Sequence, residues 1–238
     1  MSFALITGSG KRIGASIALH LAKNNWGIIL HYFNSKTEAA LLQKQILEMG
    51  VKCKSIQADL SKPFDVFNNL PEVKLLINNA AIFKNDNISS ISQQKMTEHF
   101  SVNLIAPTIL SSQFTEKLQS SNNTGNIINI LDYSIYKIPH NFLSYSLSKY
   151  ALAYLTKILA KQLAPKVRVN GIALGQVLKN TNQSEENFIQ AINANPLKNK
   201  IKTEEICKTI DFIIKTNSIT GQIINLDSGM HLSDEKYQ

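Results

Sequence analysis

Apolar positions along the chain recur in two alternating rhythms. Short, nearly continuous apolar runs at residues 2–7, 27–32, 51–57, 74–77, 126–131, 167–172 and 221–226 read as buried strands. Between them the apolar period lengthens to that of a helix. Ile13, Ile17, Ala18 and Leu21 form one face, and Ala39, Leu42, Ile46 and Met49 a second. Longer helices are predicted from about Ser92 to Leu118, with Pro107 as a kink, from Ser144 until Pro165 breaks the pattern, and from Thr203 to Lys215. Strands alternating with helices over the whole length predict an α/β protein of one domain, a doubly wound parallel sheet of about seven strands with helices on both faces. Residues 175–200, rich in Asn and Gln, have weaker periodicity and are expected to form a lid over a substrate.

Composition adds little to this picture but removes alternatives. At 238 residues and 44% hydrophobic, the chain can bury a full core. No apolar run approaches the length of a membrane helix, and Met1 leads directly into the first strand without room for a signal peptide, so a cytoplasmic protein is expected. Cys53 and Cys207 are isolated and lack metal-ligand spacing, which predicts reduced thiols and no metal site. The formal charge of +8 comes from scattered lysines rather than a basic stripe, so no nucleic-acid partner is expected. Arginine occurs only at positions 12 and 168, which makes the place of Arg12 informative.

In a parallel α/β sheet, ligands bind at the carboxyl ends of the strands. Gly8, His31, Asp59, Asn79, Asp132 and Gly175 all fall at such ends. The first of these opens the loop GSGKRIG at 8–14, with glycines spaced GxGxxxG between a strand and a helix. A tight turn is one reading. The other is a loop whose N–H groups and helix N-terminus hold a pyrophosphate. After the second strand, the segment His31, Tyr32, Phe33, Asn34, Ser35, Lys36 contains no acid to pair a ribose 2′-hydroxyl and repel a 2′-phosphate. Lys11, Asn34, Ser35 and Lys36 suit a phosphate, so NADP(H) is expected in preference to NAD(H). Asp59 either bonds an adenine amino group or caps a helix starting near Pro63. Asn103, beside Pro107, either bonds a freed carbonyl or holds a water in a proton path.

The spacing Tyr-x-x-x-Lys occurs three times, at Tyr32/Lys36, Tyr133/Lys137 and Tyr145/Lys149. The first straddles a strand end and the second runs into a loop containing Pro139. Only the third lies in a sustained helical pattern, where the two side chains share one face about 6 Å apart. An ammonium at that distance is expected to lower the phenol's pKa towards a range useful for proton transfer. Asp132, thirteen residues before Tyr145, closes the preceding strand.

TGSGKRIG at 7–14, ADL at 58–60, NNAA at 78–81, SVNLIAP at 101–107, the strand with Asp132, YSLSK at 145–149 and RVNGIALG at 168–175 together resemble the short-chain dehydrogenase/reductase family over nearly the whole chain. The resemblance implies that Tyr145 is the proton donor, that Lys149 bonds the nicotinamide ribose, and that Asn103 completes a proton relay. It also implies cofactor contacts at Gly8, Lys11, Arg12, Ile13, Gly14, His31, Tyr32, Asn34, Ser35, Asp59, Leu60, Asn79, Ala80 and Tyr145, and a homotetramer. Most members have Ser where this chain has Asp132 and Gly where it has Arg12. Those two departures, with Phe83 soon after NNAA and His-Tyr-x-x-Ser after the second strand, resemble the pteridine reductase branch, and the close LDSGMHL at 226–232 resembles its bacterial dihydromonapterin reductases. A pterin or folate substrate, held by Arg12, Phe83, Asp132 and Tyr145, is what that resemblance implies.

The chemistry of position 132 points the same way. A ketone needs donors aimed at its oxygen, whereas an ionised carboxylate only accepts. A pterin offers ring N–H and amino donors, and a ring nitrogen that must be protonated. Phe83 either stacks on that flat ring or is a core aromatic. A 3-oxoacyl or other carbonyl reductase, and a non-catalytic NADP(H)-binding protein, are the competing readings.

Overall fold

The protein is described from a computed structural model covering residues 1–119, 123–137, 140–179 and 183–233. Seven strands form one parallel sheet: β1 (Phe3–Ile6), β2 (Gly27–Tyr32), β3 (Cys53–Gln57), β4 (Val73–Asn78), β5 (Gly125–Asp132), β6 (Val167–Leu174) and β7 (Ile223–Leu226), in the order β3-β2-β1-β4-β5-β6-β7. Chain order reverses direction between β1 and β4. That is the switch point at which the crevice of a doubly wound sheet opens.

The two-residue period of the strands feeds two separate cores. Ala4 and Ile6, Ile28 and Leu30, and Leu75 and Ile77 face α1 (Arg12–Lys23), α2 (Lys36–Glu48) and α7 (Thr203–Lys215) through Ile17, Leu21, Ile46 and Ile210. The intervening Leu5, Ile29 and Leu76 point the other way, onto Phe114 and Leu110 of α4 (Ala106–Gln119) and Ala160 of α5 (Leu143–Leu163). Both sheet faces are therefore covered, which is why these strands lack polar alternation. No helix is long and apolar enough to cross a membrane among the described residues.

Three elements differ from the expectations above. The kink at Pro107 is a change of helix type: α3 (Gln93–Phe100) passes through a π-helical turn at Ser101–Ile105 into α4. Pro107 has no N–H to give the carbonyl of residue 103, so the α pattern cannot run through unbroken. Near Pro63 there is no helix among the described residues. Asp59 instead accepts from the Ser61 N–H at 3.0 Å and its hydroxyl at 2.7 Å, a local turn that satisfies the carboxylate. Residues 175–200 contain a helix, α6 (Glu185–Asn193), capped by Ser184 and anchored by buried Phe188; residues 180–182 of the expected lid, and Pro139 of the earlier loop, lie outside the described residues.

Candidate active site

The loop after β1 is built for close approach. Gly8 has φ +62°, and a Cβ there would stand 3.0 Å from the Ala80 backbone. At Gly14 a Cβ would lie 2.5 Å from the Gly8 carbonyl and 2.8 Å from the Asn79 amide. The loop and the end of β4 are also cross-tied. Thr7 Oγ1 accepts from the N–H groups of Asn79 and Ala80, each at 2.9 Å, and Asn79 Nδ2 donates to the carbonyls of Thr7 and Gly8 at 2.8 and 3.2 Å. Asn79 and Ala80 thus form one floor with the glycine loop. Helix α1 begins at Arg12 behind Lys11, with no side-chain cap and no acid in its first turn, so its leading N–H groups around Ile13 and Gly14 suit an anion.

His31 has a supporting role that its position at a strand end does not reveal. Its ring is buried, with Nδ1 accepting from the Gly8 N–H at 3.2 Å and Nε2 donating to the Ala58 carbonyl at 3.1 Å. Burial pulls its pKa down from 6.5 to about 4, partly countered by the Ala58 bond. The unfolded chain therefore binds the extra proton between about pH 6.5 and 4, and stability present above that window is lost as pH falls through it, by up to about 3 kcal/mol. Thermal melts should fall between pH 7 and 5 in the parent protein and much less in His31→Gln; parallel curves would exclude the assignment.

Tyr32 and Ser35 are buried beside this loop, Asn34 is exposed, and Leu60 is buried. A Cβ at Gly10 would sit 2.3 Å from Ser35 Oγ, so the second glycine makes room for that hydroxyl. Asp59 stays at the rim in its turn with Ser61. Arg12 adopts φ +57°, and its Nη2 donates to the Lys179 carbonyl at 3.1 Å, which ties the glycine loop to the segment leaving β6.

At the far side of the crevice, Asp132 ends β5 and Tyr145 stands in the first turn of α5. The Tyr145 hydroxyl donates to Asp132 Oδ2 at 3.1 Å, and Asp132 Oδ1 accepts from the Ser134 N–H at 2.9 Å. Lys149 is buried, its Nζ 5.8 Å from the Tyr145 ring centroid and donating to the Ile130 carbonyl at 2.8 Å. The expected lowering of the phenol does not occur in this state. Burial and then the adjacent Asp132 carboxyl push Tyr145 well above its ordinary value, burial raises Asp132, and burial lowers Lys149 to about 8. The sequence spacing supplies the ammonium but not the desolvation or the second anion, and those two effects win.

Asn103 is fully buried in the π-helical turn. Its Oδ1 accepts from the Ile82 N–H at 2.8 Å, and its Nδ2 donates to the Ile82 carbonyl and to Ser148 Oγ, both at 3.0 Å. Its amide hydrogens are spent on the loop after β4 and on α5. The freed carbonyl at the kink is not among these partners, and one Oδ1 lone pair is left for a water. Phe83 follows directly and is 42% exposed, so it is not a core aromatic. It stacks on Phe142 at 4.3 Å between centroids and meets Tyr145 edge-on at 4.6 Å.

Sequence reasoning missed Thr7, His99, Asp86 and Phe142. Buried His99 accepts from the Lys84 N–H at 3.3 Å, so Phe83 is flanked by two backbone clamps, one from Asn103 and one from His99. Asp86 is the sole acid between Glu72 and Glu98, and Phe142 an aromatic three residues before Tyr145.

The chain is 27% identical over 236 residues to a dihydromonapterin reductase of Shigella boydii, with 96% of each chain covered, and equally identical to one from an Enterobacter species. Among solved structures, FolM alternative dihydrofolate reductase 1 of Brucella suis, in complex with NADP, superposes with a TM-score of 0.94 at 33% identity over 99% of this chain and 97% of that one. The Brucella canis protein, also complexed with NADP, gives 0.92 at 32% identity, covering 99% and 96%. The short chain dehydrogenase family model matches residues 2–190. With that match running from β1 into α6, the chain belongs to the short-chain dehydrogenase/reductase family.

Proposed function

We propose that this protein is an NADPH-dependent reductase of a dihydropterin, of the dihydromonapterin, dihydrobiopterin or dihydrofolate type. The observation that carries the reading is the Asp132–Tyr145 contact at 3.1 Å, a carboxyl where a carbonyl reductase needs a donor. The names of the relatives above support the substrate class, and the NADP in the two Brucella structures supports the cofactor.

The residues present fit NADP(H). The close-packed cradle at Gly8 and Gly14 leaves no space for a Cβ, and the uncapped start of α1 suits the pyrophosphate, with Arg12 beside it. Ser35, Asn34, Lys11 and Lys36 would take the 2′-phosphate. Asp59 and Leu60 would flank the adenine, Tyr32 would back the ribose, and His31 would act through Gly8. Asn79 and Ala80 would offer their backbone to the nicotinamide half, and Lys149 would bond its ribose. When bound, the cofactor supplies a hydride to the C=N carbon of the pterin.

The chain's own residues handle the proton. Asp132, with its pKa raised by burial, can hold a proton against the Tyr145 oxygen. Tyr145 gives its hydroxyl proton to the ring nitrogen and is refilled from Asp132, so one hydride and one proton convert C=N to CH–NH. As a carboxylate, Asp132 accepts from the pterin's own N–H groups and orients the ring. Phe83 offers an aromatic surface for the ring, and Arg12 would meet a pterin oxygen. Asn103 holds the loop that carries Phe83, and its remaining lone pair can keep a water in the proton path.

The outer faces of the π-helical turn, α4 and α5 leave Ile105, Ile109, Tyr150, Tyr154 and Ile158 exposed in stripes spaced by four residues. A second copy of this chain covers such a face in the homotetramer proposed here, and light scattering should return a multiple of the 26.5 kDa chain mass. A cytoplasmic site of action is part of the same proposal. The test of function is NADPH oxidation with a dihydropterin, with formation of the tetrahydropterin verified chromatographically. NADH should serve far less well, and an NADH preference would remove the 2′-phosphate assignment.

A further inference from the structure

Helix α5 carries both Tyr145 and Lys149, yet it begins badly. Its N-cap is Phe142, in the left-handed region at φ +69°, and that side chain cannot accept from the first N–H groups. Phe142 is used differently, stacked on Phe83. The cap comes from Asp86, a buried residue 58 positions away from Ser144. Its carbonyl accepts from the N–H groups of Phe142 and Leu143 at 2.7 and 3.2 Å. Its carboxylate accepts from the Ser144 N–H at 3.0 Å and, through the other oxygen, from the Ser144 hydroxyl.

The same loop holds Phe83. From Ile82 to Asp86 it is fastened by Asn103 and His99 on one side and by the start of α5 on the other. A closed circuit results: Asp86 sets the first turn of α5, Phe142 stacks on Phe83, and Phe83 meets the edge of Tyr145 at 4.6 Å. A carboxylate at the positive end of a helix also adds a favourable charge–dipole contact.

We infer that Asp86 is a positioning residue, which locks the first turn of α5 so that the Tyr145 hydroxyl stays against Asp132 while Phe83 and Phe142 are held as one aromatic wall. The inference rests on the proton-donor role of Tyr145 proposed above, not on which substrate is reduced. Removing the carboxylate leaves the Asp86 carbonyl in place, so the helix loses half of its cap while the sheet and the cofactor loop are untouched.

The test pairs two readouts on Asp86→Ala and Asp86→Asn. Steady-state kinetics use whichever of dihydromonapterin or an acetoacetyl thioester the parent reduces, so a wrong substrate class and a wrong role for Asp86 give different results. Asp86→Ala should lose kcat on the order of 10-fold to 10²-fold, the scale of a small misplacement of a reacting group, with the Kd for NADPH at the parent value. Asp86→Asn, which keeps an acceptor for the Ser144 N–H, should recover most of that loss. Hydrogen exchange should speed up at residues 143–146 and stay at the parent rate over 150–163. A parent kcat in Asp86→Ala, unchanged exchange at 143–146, or loss of NADPH binding in step with kcat in both variants would overturn the inference. Should Asp86→Ala not fold, Asp86→Asn and Ser144→Ala carry the same comparison, and parent kcat with parent exchange in both would equally overturn it.

Discussion

Tyr145→Phe should lower kcat by about 10³-fold while leaving NADPH affinity at the parent value, because it removes one buried hydroxyl and nothing that the cofactor loop uses. The size follows from the geometry. General acid transfer by a positioned group contributes about 10² to 10⁴-fold, and here the Tyr145 hydroxyl donates directly to Asp132 at 3.1 Å. The pair also explains why the phenol does not ionise unaided. Burial and Asp132 hold its proton, so Tyr145 enters the reaction loaded and needs no low pKa of its own. Equal turnover in parent and variant would mean that the proton reaches the substrate by another path.

Asp132→Asn should separate stability from function. Burial raises the Asp132 pKa, so the native state binds the extra proton between the ordinary carboxylate pKa and the raised one. In that window stability falls as pH rises, so above the ordinary carboxylate pKa the buried acid is a net cost to the fold. A neutral amide removes this cost. The melting temperature of Asp132→Asn at pH 7 should therefore rise, and turnover on a dihydropterin should fall about 10²-fold or more. A variant with lower melting temperature and intact turnover would assign Asp132 to the fold alone. Asp132→Ser supplies the complementary arm, because two hydroxyl donors facing one oxygen should favour a carbonyl substrate over a pterin.

Much of this architecture is legible in the chain because its strands are buried on both faces. A run such as ALI after Phe3 or LLI after Lys74 carries no polar alternation, and that alone predicts a covered parallel sheet. The Tyr145/Lys149 pair is legible for a different reason: helix period fixes its spacing, and Asp132 sits at a strand end by the same pattern. What escaped was set by long-range contact. His31 looks like a cofactor contact until Gly8 and Ala58 are seen on its two nitrogens. Asp59 looks like a helix cap until Ser61 turns back onto it. The π-helical turn follows from Pro107, but which partners Asn103 takes depends on Ile82, which is distant in sequence. The phenol's pKa is not legible from spacing, which reports the neighbouring ammonium and says nothing of desolvation. Phe142 and Asp86 stand out locally as an aromatic and a lone acid, but what they do depends on contacts between distant segments.

The central claim is that the carboxyl at position 132 makes this family member a pterin reductase instead of a carbonyl reductase. The most direct measurement is kcat/KM with NADPH for dihydromonapterin, dihydrobiopterin and dihydrofolate beside an acetoacetyl thioester, against a control without substrate. Turnover of one or more dihydropterins with at most background oxidation on the thioester is the expected result. Turnover of the thioester alone would contradict it, and Asp132 would then be a substitution that the carbonyl chemistry tolerates.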